Sequence, residues 1–216
     1  MVKPEAPMVA VIAVAQQKGG AGKTMMAAQL AVAFAADRRV ALLDIDPQGS
    51  LTAWARLRAA NPKARGVVTI ETVSGWRLAA ALEKLRGGHE IVLIDTPPVL
   101  DSDARRAIRG ADLVLVPLNP APPDLWAAEG TLKLAAEERR AVALVFNRAA
   151  AGSKLRRVME AGIAGRGLVL LEETLGNRAG YANAFAEGLG VAETAPSSLA
   201  GREVAALAAR VLAMVA

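Results

Sequence analysis

Seven short apolar runs punctuate the chain: VAVIAVA from Val9, VALLDID from Val40, VVTIE from Val67, IVLID from Ile91, LVLVPL from Leu113, AVALVFN from Ala141 and LVLLE from Leu168. Most are apolar at consecutive positions, the pattern of strands covered on both faces. Alanine-rich stretches of helical character lie between them, at 24–36, 51–60, 76–86 and 125–138. The terminal SSLAGREVAALAARVLAMVA predicts a closing helix capped by Ser197 or Ser198. Repeated β–α alternation predicts an α/β fold, a mostly parallel twisted sheet between two helical layers. No linker, repeat or low-complexity segment interrupts it, so a single domain is expected over 1–216, with 1–8 as a flexible tail.

Composition narrows the chemistry. The chain is 53% hydrophobic but only 3% aromatic, so alanine, valine and leucine must fill the core. The absence of cysteine excludes disulfides, a thiolate zinc site and a cysteine-ligated iron–sulfur cluster. A lone histidine, His89, argues against a histidine metal site. No uninterrupted apolar run approaches the roughly 18–20 residues that span a bilayer. The N-terminal MVKPEAPMVAVIAVAQQ has a core like that of a signal peptide. It runs straight into a glycine loop that cleavage would destroy, so it reads as a buried strand and the protein as cytoplasmic. The net charge of +5 fits either a solvated basic surface or a polyanionic partner.

In such sheets ligands bind at the carboxyl ends of the strands. The chemically distinctive residues fall there: a glycine loop after the first run, Asp44 and Asp46 after the second, Asp95 after the fourth and Asn147 after the sixth. The loop reads QKGGAGKT. Gly19, Gly20 and Gly22 let backbone N–H groups approach an anion, and a helix N-terminus follows. The usual phosphate-binding pattern is G-x-x-x-x-G-K-[ST]. Here Gln17 stands where its first glycine belongs, and a second lysine, Lys18, precedes Lys23. Asp44 and Asp46, two apart on an extended segment, share a face.

QKGGAGKT resembles the deviant Walker A box of the ParA/MinD superfamily of ATPases. VALLDIDPQGSLTAWA resembles that family's D-x-D-P-Q segment, and IVLIDTPP its Walker B segment. ADLVLVPLNPAPPDLWA and NAFAEGLGVAETAPSSLAGREVAAL resemble small ParA-like (ParF-type) partition proteins, so the likeness runs from Val9 to about Leu212. The resemblance implies a three-layer α/β/α P-loop NTPase that uses ATP and Mg²⁺. Residues Gly19, Gly20, Ala21, Gly22, Lys23, Thr24 and Met25 would wrap the phosphates. Thr24 would hold Mg²⁺, with Asp44 and Asp95 supporting it, Asp46 would orient the attacking water, and Asn147 would contact adenine. Lys23 would serve its own ATP, and Lys18 that of a partner subunit. Met25 replaces the second threonine of many relatives.

The family further implies an ATP-bound homodimer that attaches to a surface, and a ParB-like or adaptor protein that stimulates hydrolysis. The charge balance favours non-specific nucleoid DNA, with Lys154, Arg156, Arg157, Arg178 and Arg202 as candidate contacts. Arg105, Arg106 and Arg109 follow Asp95 closely and are assigned to the nucleotide, dimer or partner face. Without an N-terminal DNA-binding extension, operator recognition is not expected. A MinD-like membrane anchor would need a basic amphipathic terminal helix, and this one offers only Arg202 and Arg210. A tyrosine kinase would need a tyrosine-rich tail, and Tyr181 is alone. A biosynthetic ligase on the same fold is opposed by the D-x-D-P-Q segment. The expected protein is a weak ATPase, cytoplasmic and nucleoid-associated, that positions a plasmid, chromosome or protein assembly.

Overall fold

The computed structural model describes residues 9–150 and 154–216. The tail expected at 1–8 lies outside the described residues. Six strands, β1 (Ala10–Val14), β2 (Val40–Asp44), β3 (Val68–Thr72), β4 (Ile91–Asp95), β5 (Leu113–Leu118) and β6 (Ala141–Phe146), form one sheet. Its order is β3-β2-β4-β1-β5-β6 and every pairing is parallel. All residues of β2, β4 and β5 are buried, which is why their sequences are apolar without alternation.

Alternate residues of each strand feed two separate cores. Ile12, Val14, Val40, Leu42, Ile91 and Leu93 pack on one face. There they meet α1 (Lys23–Phe34), α2 (Ser50–Ala60), α7 (Ala179–Ala186), α8 (Val191–Thr194) and α9 (Leu199–Val215). Val11, Ala13, Ala41, Leu43, Val92 and Ile94 pack on the other. Against them lie α3 (Leu78–Arg86), entered by a 3₁₀ turn at Gly75–Arg77, α4 (Ser102–Gly110), α5 (Pro122–Glu137) and α6 (Lys154–Ala164). Ser198, rather than Ser197, caps α9 by accepting a hydrogen bond from the Gly201 N–H.

One predicted strand departs from expectation. LVLLE makes only an isolated bridge, Leu170 to Leu144. The Leu171 N–H reaches the Leu144 carbonyl and the Leu175 N–H reaches that of Phe146. Four residues on one side thus match two on the other, and the ladder cannot continue. Helices α4, α6, α7 and α8 lie outside the alanine-rich stretches named from the sequence. The polar α4 starts because the Asp101 carboxylate accepts from the Asp103 and Ala104 N–H groups. No helix among the described residues is long and apolar enough to cross a membrane.

Candidate nucleotide site

Sheet register gathers the site. Asp95, at the end of β4, sits opposite both Val14 of β1 and Asp44 of β2. The glycine loop leaves β1 and enters α1 through Gly22, whose φ of 94° favours glycine. A Cβ there would collide with Asn147 Nδ2. The first turn of α1 has neither a side-chain cap nor an acidic residue. Its free N–H groups and positive end are therefore left for an anion.

Lys23, the first residue of α1, is buried. Burial pulls its ammonium below the ordinary lysine value, and Asp95 and Asp46 oppose that shift. Asp95 is fully buried, and neither carboxylate oxygen accepts a well-formed hydrogen bond from the described residues, the Thr24 hydroxyl being near but poorly aligned. Burial pushes its carboxyl up to about 7; Asp44 and Asp46 add to the rise, while the Thr24 hydroxyl and Lys23 oppose it. An orphaned acid beside Thr24 and a cationic loop is a donor set that suits Mg²⁺. That ion keeps much of its water and takes few protein ligands. Among the described residues no cluster of three or more acids or histidines could hold a metal by itself.

The two acids of the D-x-D segment differ. Asp44 is fully buried with both oxygens in use: Oδ2 accepts from the Thr52 N–H (2.9 Å) and hydroxyl (2.6 Å), and Oδ1 from the Asp46 N–H. It therefore anchors the start of α2 beneath the site. Asp46 is half-buried, one oxygen accepting from the Gln48 N–H, and its charge is felt by both Lys23 and Asp95.

Lys18 does not hang free from its loop. Its ammonium lies 2.5 Å from Oδ2 of the buried Asp124 in α5. Oδ1 of Asp124 accepts from the backbone and side-chain amides of Asn119, and its carbonyl from Gln16 Nε2. Asn147 also has its side chain occupied, with Nδ2 donating to the Ala21 carbonyl and Oδ1 accepting from the Arg148 N–H. Arg148 Nη1 in turn donates to the Gly20 carbonyl. Gly19 and Gly20 are exposed, Ala21 is buried, and Met25 is half-buried with its sulfur facing Gln29 Nε2. Asp124 and Arg148 were not assigned a role from the sequence, although Asp124 lies in the stretch NPAPPDLWA and Arg148 directly follows Asn147.

The five basic residues considered for DNA do not share one element. Lys154 and Arg157 are exposed on α6. Arg156 on the same helix pairs with Glu160 and lies over the Phe146 ring. Arg178 is paired with Glu203, and Arg202 donates to the Ser197 carbonyl on the opposite helical layer. Arg105 and Arg109 both bind Glu138, tying α4 to α5, while Arg106 pairs with Asp103 within α4.

A parallel sheet with a glycine loop, an uncapped helix start and paired acids at its carboxyl edge defines a P-loop nucleotide-binding domain. Residues 12–191 match the CobQ/CobB/MinD/ParA nucleotide binding domain, and the chain belongs to that family, within the ParA/MinD superfamily of ATPases. It is 32% identical over 190 residues to the maintenance of carboxysome distribution protein A of Halothiobacillus neapolitanus, covering 83% of this chain and 85% of that one. It is 29% identical over 184 residues to Protein ParA of Rhizobium radiobacter, covering 81% and 82%. Among solved structures, the cell division ATPase MinD of Pyrococcus furiosus superposes with a TM-score of 0.80 at 20% identity, covering 96% of this chain and 100% of that one. McdA of Cyanothece, solved with ATP, gives 0.76 at 17% identity over 95% and 96%. At these identities the structural likeness shows the fold.

Proposed function

We propose that this chain is an ATP-dependent dimerising switch that binds nucleoid DNA non-specifically and hydrolyses ATP to position a cargo. The observation that carries this reading is the pair of lysines, Lys18 and Lys23, on one phosphate loop, with Asp46 and Asp95 set around Lys23. Backbone N–H groups of the loop and of the α1 N-terminus hold the phosphates, and Lys23 neutralises their β/γ charge. Mg²⁺, when bound at Thr24 and Asp95, supplies further neutralisation of the phosphates. Asp46, half-exposed at the loop's rim, orients water for attack. Lys18 leaves Asp124 to meet the nucleotide of a second copy, where its charge counters phosphate repulsion between the two faces.

A relative named for carboxysome distribution and another named ParA support a positioning role, and the net charge of +5 is consistent with a polyanionic surface such as nucleoid DNA. The terminal helix α9 buries Val204, Leu207 and Val211 in the core, so it is a packed element and not an anchor held in reserve. A ParB-like or adaptor protein would stimulate hydrolysis and release. The cargo is a plasmid, a chromosome or a protein assembly. The test is binding of the Asp46→Ala protein to random duplex DNA with ATP and with ADP across a salt series. Binding with ATP alone, falling steeply with salt, supports the reading. Absence of binding with either nucleotide overturns the DNA part of it.

A further inference from the structure

The loop that would hold the nucleotide is pinned from outside by two consecutive residues at the end of β6. Asn147 Nδ2 lies 2.8 Å from the Ala21 carbonyl, and Arg148 Nη1 lies 3.2 Å from the Gly20 carbonyl. To make both contacts the chain adopts a costly shape. Arg148 has φ 52°, one of two non-glycine residues with positive φ among those described. The other, Arg139, follows the end of α5, where left-handed residues are ordinary. Arg148 ends no helix. Its N–H is satisfied by the neighbouring Asn147 Oδ1, and the next residue, Ala149, returns to pairing through the Leu175 carbonyl. A left-handed arginine between two ordered residues is local strain, and such strain persists where the surroundings enforce it.

We infer that Arg148 is a positioning residue of the nucleotide site, its guanidinium holding the Gly20 carbonyl outward so that the loop's N–H groups face the phosphates. The inference rests on the reading of residues 18–24 as the phosphate loop. Gly20 and Gly22 both have positive φ, and glycine loses more backbone freedom on ordering than any other residue. Without outside contacts, ATP would have to order them itself. The two pins lower that ordering cost, and the Arg148 contact is charge-assisted while its side chain stays exposed. The guanidinium makes no ion pair recorded among the described residues, so removing it strands no buried carboxylate.

The strain makes the test clean, because Arg148→Gly removes the guanidinium and suits the left-handed backbone. A purely structural arginine would lower the melting temperature on removal. For a positioning arginine, the glycine variant melts at or above the wild-type temperature. Its affinity for a fluorescent ATP analogue falls about tenfold or more, the scale of one charge-assisted hydrogen bond. Arg148→Lys keeps a cation that can reach the Gly20 carbonyl, and it should recover most of that affinity. Wild-type affinity in Arg148→Gly would overturn the inference, as would affinity and melting temperature falling together. A wild-type chain that binds no ATP would overturn the underlying nucleotide reading instead.

Discussion

The ammonium of Lys18 and the carboxylate of Asp124 form an ion pair within one chain, 2.5 Å apart, with the aspartate side chain 1% exposed and the lysine 39%. A lysine proposed to act on a second copy is thus held at home by an acid that water cannot reach. For Lys18 to depart, Asp124 must lose its cation while keeping its two bonds from Asn119. Stranding a buried group in this way costs about 1–3 kcal/mol. Replacing the charge by Asp124→Asn keeps an acceptor for Asn119 and removes most of that cost. The ATP-dependent dimer constant is expected to rise by roughly tenfold, read by analytical ultracentrifugation at matched concentrations. An unchanged constant would mean that Lys18 stays with Asp124 in the dimer.

Lys18→Gln tests the same pair from its other end. The loop's glycines, Lys23 and the α1 N-terminus are untouched, so ATP binding should persist. Dimerisation with ATP should be lost, because the opposed phosphates no longer meet a neutralising cation. The variant should also be less stable by about 1–3 kcal/mol, since the buried Asp124 keeps its Asn119 bonds but loses its cation. Equal dimer fractions in variant and wild type would refute a cross-subunit role for this lysine.

Asp46 is the half-exposed acid of its segment, with one oxygen accepting from the Gln48 N–H. Its neighbour Asp44 is locked by Thr52, so a change at position 46 leaves the start of α2 anchored. Asp46→Ala should therefore fold and bind ATP normally. It should hydrolyse at least about a hundredfold more slowly, the usual scale for a missing acid–base group. The ATP-bound dimer should then accumulate. Finding the variant monomeric with saturating ATP would remove Asp46 from the catalytic role.

Much of this architecture was legible from the sequence because its signals are local. Buried parallel strands announce themselves as unbroken apolar runs, and six of seven such runs entered the sheet. Strand ends then brought Asp44 and Asp95 into register without further information. What the sequence could not show was long-range pairing. Lys18 meets an acid 106 residues away, and Arg148 reaches a carbonyl 128 residues away. Neither contact has a periodicity or spacing to betray it. LVLLE was misread for a related reason: its apolar run is real, and Leu171 is buried, but the backbone bulge before Leu175 depends on β6 beside it. Side chains at a strand end also serve the scaffold: Asp44 holds Thr52, and Asn147 holds the Ala21 carbonyl.

Asp95 ties stability to pH in a direction opposite to most acids. In the unfolded chain its carboxyl titrates near 3.8, whereas burial in the folded chain holds the proton up to about 7. Between those values the folded chain binds more protons than the unfolded one, so stability falls as pH rises through that window. Below it both forms are protonated, and above it both are ionised, so the penalty is fully present beyond about pH 7. Asp95→Asn has no proton to lose at this position. Urea denaturation without nucleotide or Mg²⁺, at pH 4.5 and 7.5, should show the wild type losing ground to the variant at the higher pH. Equal shifts in the two proteins would refute the perturbed acid. Adding ATP and Mg²⁺ at pH 7.5 should stabilise the wild type more than the variant, because the charge that burial penalises is the one a bound cation rewards.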